Sequence, residues 1–375
     1  MSNRRLGWLD GLRAVAVLLV LYAHVSRFAF PEVRAVTSEW LHAGVAGVML
    51  FFLVSGYIIP ASLERHGDLR RFWAGRFRRL WPLYTAVIIA ASLIPINPDL
   101  SLPTTTAHAT MLPFLTNTEL VTPVLWTLSF EMAFYLLVSA LFAIRLHRAE
   151  SIVAVIFALL GVATAPLISA RHEVIVPTVI ALAAGLAGVC SRRRWAITVG
   201  GLTLAGLAGF LLLTAMNPSH AWDGLLILAV MFTGTAIYRA DTGQTTWWPV
   251  LITVTVVAGA LLTNWFAELR SLGGFTPQYT ARSVITLLVF GGAFAVGMVT
   301  RHRRTPAWLT RIGVISYSVY LVHYVLLQVV GRYLHGPVEA VVFLAALYGI
   351  CELTYRYIEV GVSVRAPSIA AYRSR

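Results

Sequence analysis

Arg13 and His24 stand in one apolar segment, separated by the ten residues Ala14 to Ala23, among which only Tyr22 carries a polar side chain. An ionisable side chain in hydrocarbon costs at least ~2.5 kcal/mol, so it is retained for a functional reason and is usually paired. Eleven residues of helix make about three turns and about 16 Å of rise, which puts both side chains on one face at two depths. Such a helix can hold an anionic substrate near the cytoplasm with Arg13 while His24 works deeper in the bilayer. The plainer account is a helix-end Arg that snorkels to the headgroups and a His bonded to a backbone carbonyl. For Arg13 alone that account is at least as good; the pairing weakens it.

A second concentration of chemistry follows the second apolar segment, where Arg70, Arg71, Phe72 and Trp73 lead into Arg76, Phe77, Arg78, Arg79, Leu80, Trp81 and Pro82. Arg76 and Arg79 are three residues apart and share a helical face, and guanidinium forks match phosphate oxygens bidentately. A nucleotide-like pyrophosphate suits the pair. Topology-setting charge beside anionic lipid explains it equally well, and is the better reading of Arg65, Arg70 and Arg71. Of the ten His, only His24 and His323 fall well inside apolar segments, and Glu131 is the most deeply placed acidic residue without a local partner. Glu352 has Arg356 four residues on, a sufficient structural account. His24 lies about 8 Å and Glu131 about 10 Å below the outer ends of their helices. Matched depths let a carboxylate fix the imidazole tautomer and raise its basicity, and His is the commonest general base near neutral pH. For His323, a satisfied interhelical His is the favoured reading, and the Ser55-Gly56 step after Phe51 and Phe52 reads as helix packing.

These residues need a membrane to hold them. With 58% hydrophobic and 12% charged residues and a mean hydropathy of +0.77, the chain is too apolar for a soluble domain. The expected fold is an all-α, polytopic transmembrane helical bundle of about 10–12 spans. Twelve segments near the ~20 residues a bilayer requires begin at about 11, 43, 80, 124, 151, 174, 196, 222, 248, 283, 310 and 337. The 1–375 chain reads as one membrane-embedded domain, since no linker or low-complexity tract divides it. Its net charge of +13 comes entirely from Arg on the basic side. With a cytoplasmic N-terminus, 22 Arg fall in inward loops and six in outward ones. That positive-inside bias places both termini in the cytoplasm of a cell membrane, makes lipid the partner of the charge, and argues against nucleic acid. Cys190 and Cys351 suggest neither a disulfide nor a metal site. The first segment reads as a retained helix, because Arg13 and His24 bracket its core and no convincing cleavage site follows. The outward loop from Asn97 to Pro123, long and without a basic residue, is the kind that carries function.

Taken together, five stretches resemble the acyltransferase-3 family of integral membrane acyl-CoA acyltransferases, from about Leu9 to Ile358. They are Leu9-Asp10-Gly11-Leu12-Arg13-Ala14 with His24 at the family's spacing, Phe51 to Tyr57, the Arg76 and Arg79 pair before Pro82, Trp126 to Tyr135, and Ile315 to His323. The resemblance implies that His24 is the catalytic base, Arg13 its motif partner, Arg76 and Arg79 contacts for the CoA phosphates, and Glu131 a site residue. Met49 departs from the charged residue many members carry there, which leaves the acceptor pocket open. Val360-Gly361 after Glu359 departs from a common Pro. No appended hydrolase-like domain is expected after the last span.

The expected activity is transfer of an acyl group, acetyl in the first instance, from acyl-CoA to a hydroxyl of a sugar, cell-envelope glycan or macrolide-like small molecule. Acyl-CoA is a co-substrate and no permanently bound cofactor or metal is expected. Donor phosphates would sit on Arg76, Arg79 and Arg13, with the thioester extending toward His24. Asp10, Trp126, Ser129 and His323 are the candidates for the substrate pocket, Trp126 and Ser129 as oxyanion donors because they neighbour Glu131 in sequence. The competing class is a proton-coupled multi-pass solute transporter, which buried His and Glu also suit. Paired cytoplasmic Arg residues discriminate the two, because a CoA site needs them and a proton path does not.

Overall fold

The computed structural model describes residues 7–94, 101–146, 148–164, 174–214 and 223–360. Arg4, Arg5, Arg171, Arg365, Arg373 and Arg375 of the charge count, and Gly361, lie outside them. In chain order the α-helices are α1 (Gly7–Ala29), α2 (Pro31–Trp40), α3 (Ala43–His66), α4 (Leu69–Ser92), α5 (Leu102–Ala109), α6 (Trp126–Ala143), α7 (Glu150–Thr164), α8 (Ile175–Val189), α9 (Arg194–Thr214), α10 (Asp223–Asp241), α11 (Trp247–Ser271), α12 (Pro277–Val299), α13 (Ala307–Val314), α14 (Ser316–Val330) and α15 (Pro337–Thr354). Among the described residues there is no strand.

All twelve expected segments coincide with helices among the described residues. Among the described residues, eight helices are long and apolar enough to cross a membrane, or nine if α13 and α14 form one span broken by 67°. Within the described residues, α7 and α8 are shorter apolar helices. In α4 the Arg residues that precede the apolar half belong to the same continuous helix. The expected segment at 80–96 is therefore the second half of an element whose first half is cationic.

The turn that starts α4 is built from two residues. Gly67 adopts φ 61°, a left-handed conformation that glycine takes without Cβ strain, and its N–H reaches the Leu63 carbonyl at 2.8 Å to close α3. Asp68 then caps α4, its carboxylate accepting the Arg70 N–H at 2.9 Å. Behind α3 lies α10, and the two backbones nearly touch. A Cβ on Gly56 would sit 1.8 Å from the Met231 carbonyl oxygen, and one on Gly234 would sit 2.3 Å from that of Leu53. The small Ser55-Gly56 step is thus a packing device, as expected of small residues between membrane helices. Arg239 of α10 pairs with Glu64 of α3 and Glu150 of α7, joining three helices through one buried cation. Glu352 holds Arg356 at 2.8 Å and also binds Arg311 of α13.

The segment expected as an outward loop, described from residue 101, is not a free loop. Beyond α5, Met111, Leu112, Leu115 and Val121 are fully buried in the main core. His108 hydrogen-bonds the Tyr84 hydroxyl at 3.0 Å.

Candidate active site

One cavity of ≈ 110 Å³ opens between α1, α3, α4, α6 and α14, with room for several waters or a small anionic group. Arg13, Arg76, Arg79 and Glu131 all line it. Four of the residues singled out, from three separate sequence stretches, therefore share one space. Arg76 is the most tightly framed of them. Its guanidinium carbon lies 5.3 Å from the Phe72 ring centre and 5.6 Å from that of Tyr135, and one of its terminal nitrogens donates to Ser62 Oγ at 3.4 Å. Ring faces attract a cation and leave the edge N–H groups free for a ligand. Glu131 accepts a hydrogen bond from the Tyr135 hydroxyl one helical turn on. Arg13 stands 4.0 Å from Asp10.

The sequence reading missed what α14 contributes. After the 67° break, α14 begins at the cavity wall, where Ser316, Tyr317 and Tyr320 complete the lining with Ser55 and Thr127. A helix N-terminus presents free N–H groups and partial positive charge, so this end adds to the three guanidinium groups. The Ser316 hydroxyl is buried and has no hydrogen-bond partner. Tyr317 and Tyr320 are held by their own hydroxyls, donating to the Leu80 carbonyl at 2.9 Å and the Val124 carbonyl at 3.1 Å. The hydroxyl-rich Ile315–His323 stretch was the available signal; the break that aims it was not visible.

His24 is absent from the lining of this cavity. Its ring lies 5.2 Å from that of His323 and 5.2 Å from that of Tyr324. The Tyr320 ring, 6.0 Å from His323, stands at the boundary between the two regions. Along α14, Ser316 to His323 is about 10 Å of rise, and along α1, Arg13 to His24 is about 16 Å. Both helices thus run side by side from the cavity to the histidines. The expected convergence of His24 with Glu131 is corrected accordingly: α14 packs on both α1 and the turn before α6, so His323 fills the place beside His24 that the matched depths suggested for Glu131.

Three other candidates are placed outside the cavity lining. Asp10 is buried beside Arg13, where it orients that side chain. Ser129 accepts the Phe114 N–H at 3.3 Å, and Trp126 packs 6.3 Å from the Phe114 ring and 5.9 Å from the Phe130 ring. These two fasten the segment that precedes α6 to that helix. Sequence proximity to Glu131 put them in the pocket, but residues two and five positions from Glu131 on a helix point to other faces.

The chain matches a family model described as Acyltransferase domain over residues 6–356. It is 28% identical over 169 residues to the O-acetyltransferase OatA of Staphylococcus aureus (strain NCTC 8325 / PS 47), covering 39% of this chain and 26% of the relative. The same figures hold for OatA of strain MRSA252. A further S. aureus protein, SACOL0978 of strain COL, carries the O-acetyltransferase name provisionally and is 36% identical over 92 residues, 23% of this chain and 13% of its own. The chain thus spans about a quarter or less of the length of these relatives. No solved structure matches.

Proposed function

Because the chain belongs to the acyltransferase-3 family, we propose that this multi-pass membrane protein is an O-acyltransferase that takes an acyl group from acyl-CoA, with His24 as general base. The observation that carries the reading is the single cavity shared by Arg13, Arg76, Arg79 and Glu131, from which α1 and α14 lead to His24. Three guanidinium groups beside the start of α14 suit the phosphates of a CoA donor. Glu131 offsets part of that cationic charge while the cavity is empty of anion. The thioester then extends past Tyr320 toward His24.

There the acceptor hydroxyl gives its proton to the imidazole as its oxygen bonds to the thioester carbonyl carbon. The tetrahedral intermediate collapses with cleavage of the carbon–sulfur bond, and the proton on His24 passes to the departing thiolate. Products are the ester and CoA. General base catalysis of this kind contributes about 10² to 10⁴ in rate. Ser316, with its buried free hydroxyl, replaces Trp126 and Ser129 as the side chain available to hydrogen-bond the donor. The O-acetyltransferase names of the relatives support acetyl as the group moved, and the acceptor class is a hydroxyl-bearing sugar, cell-envelope glycan or macrolide-like molecule. The Arg distribution supports cytoplasmic termini and a cytoplasmic entrance for the donor.

The test is made in membranes from cells expressing the chain, incubated with isotope-labelled acetyl-CoA, followed by mass spectrometry of glycans, lipids and small molecules. Label should move to an oxygen ester with the native sequence and not with His24→Ala, at equal protein in the membrane. Equal ester labelling by both would remove His24 from the chemistry. Labelled product from neither would return the bundle to the transporter class.

A further inference from the structure

His323 entered as a candidate pocket residue with an ordinary structural explanation, and its surroundings give it a more specific one. Its Nδ1 lies 3.0 Å from the Val319 carbonyl oxygen. A carbonyl only accepts, so Nδ1 carries the proton and, in the neutral ring, Nε2 carries the lone pair. That Nε2 is buried without a hydrogen-bond partner. Across the α1–α14 contact, His24 has one buried nitrogen without a partner, and it is Nδ1. The ring centres are 5.2 Å apart with planes tilted by 48°, and as the rings stand the two nitrogens make no hydrogen bond. Tyr324 packs edge-on against both rings, at 5.2 and 6.2 Å, and restricts how either can turn. Were the His24 ring turned so that Nδ1 faces His323 Nε2, this ring separation would bring the two unsatisfied atoms to about 3 Å, hydrogen-bond distance.

We propose that His323 is the positioning residue for His24: its Nε2 accepts the His24 Nδ1–H, directly or through one water, and so keeps the His24 Nε2 lone pair for the acceptor hydroxyl. The proposal rests on the reading of His24 as the base. In hydrolases a carboxylate does this work; beside His24 the other charged groups in electrostatic reach are the cations Arg27 and Arg34, and the acceptor that packs on the ring is a neutral imidazole. The same contact supports the imidazolium formed during transfer, because Nδ1–H remains a donor in both charge states. Glu131, engaged with Tyr135 in the donor cavity, is thereby released from the tautomer-fixing task.

The experiment uses the full chain in lipid nanodiscs with ¹⁵N-labelled histidine, and needs neither donor nor acceptor. His24 signals are identified by their loss in His24→Ala. In the native sequence at neutral pH, His24 should be a single tautomer protonated on Nδ1. His323→Leu should give a mixture of both tautomers, and His323→Gln, whose amide oxygen can accept, should restore the single one. Unaltered signals from the remaining histidines show that each variant is folded. A His24 protonated on Nε2 in the native chain, or one whose tautomer ignores His323→Leu, overturns the proposal. In the acetyl-transfer assay His323→Leu should lower kcat by about tenfold, the loss of one orienting hydrogen bond, with donor KM within about twofold. If His24→Ala retained transfer, the base assignment would fail while the tautomer result stood, so the two failures are distinguishable.

Discussion

Arg76 stands against the Phe72 and Tyr135 rings, and this arrangement decides what it can do for a phosphate. Both rings lie on one side of the guanidinium, their own centres 6.0 Å apart, and leave its other side for paired N–H···O bonds. Loss of one charge-assisted contact costs roughly 1.5 to 3 kcal/mol, or roughly 10- to 150-fold in affinity. Arg76→Ala should therefore weaken CoA binding by that factor in calorimetric titration, and Arg76→Lys should recover only part of it, because an ammonium lacks the planar fork. Arg79 is more exposed, so Arg79→Ala should fall at the lower end of that range and shrink further as salt is raised. Unchanged affinity in both alanine variants would make the pair topology-setting charge. The roles of individual residues were legible where a polar group stood in an apolar segment: Arg13, His24 and Glu131 announce themselves that way. Ser316 and Tyr320 do not, since a hydroxyl costs little in a helix and its direction depends on the break before α14.

At the scale of elements, close helix contacts carry the architecture and a buried segment carries a pH dependence. A methyl on Gly56 would meet the Met231 carbonyl, whereas one on Gly259 would meet nothing within 4 Å. Gly56→Ala should force α3 and α10 apart at a cost of about 1–3 kcal/mol, read as a lowered thermal unfolding midpoint in detergent; Gly259→Ala serves as the neutral control. Equal midpoints would show that the α3–α10 contact is slack. Burial holds His108 of α5 down at about 4, against its ordinary 6.5, with the Glu119 backbone opposing the shift. The unfolded segment takes up a proton between these values and the folded one does not. Its contribution is therefore complete above about 6.5 and is lost as pH falls toward about 4, by at most about 1.4 kcal/mol per unit. Hydrogen exchange of residues 101–125 should accelerate across that window, and His108→Phe should remove the dependence. Exchange that is flat with pH in the native sequence would mean that His108 is not what ties the segment down. The sequence showed apolar lengths well and their breaks poorly. A charged first half joined to an apolar second half, as in α4, and a sharp bend between two apolar helices, as at α13 and α14, both defeat a count based on length alone.

For the molecule as a whole, the bundle places a cationic cavity and a histidine pair on the two helices α1 and α14 that join them. The proposed orientation, with the 22 Arg of the inward loops at the cytoplasm, is checked by single cysteines in a chain lacking Cys190 and Cys351. A cysteine at Gly243 should react with membrane-impermeant reagent only in inverted vesicles, and one at Leu272 only in intact cells; the opposite pattern would invert the donor's entrance. Fold class and family were readable because apolar periodicity and motif order survive in a single sequence. The partnership of His24 with His323 was not, because it depends on a contact between residues 299 positions apart. The central claim is that a donor anchored at the Arg13, Arg76 and Arg79 cavity delivers its acyl carbon to His24. Its most direct measurement is a cryo-electron microscopy structure of the chain with a non-hydrolysable acetyl-CoA analogue. The phosphates should contact Arg76 and Arg79, the Tyr320 ring should be displaced, and the acyl carbon should lie about 3 to 4 Å from where a hydroxyl bonded to His24 Nε2 would sit. An analogue bound elsewhere, or one whose acyl group ends more than about 10 Å from His24 with its phosphates in place, would contradict the account.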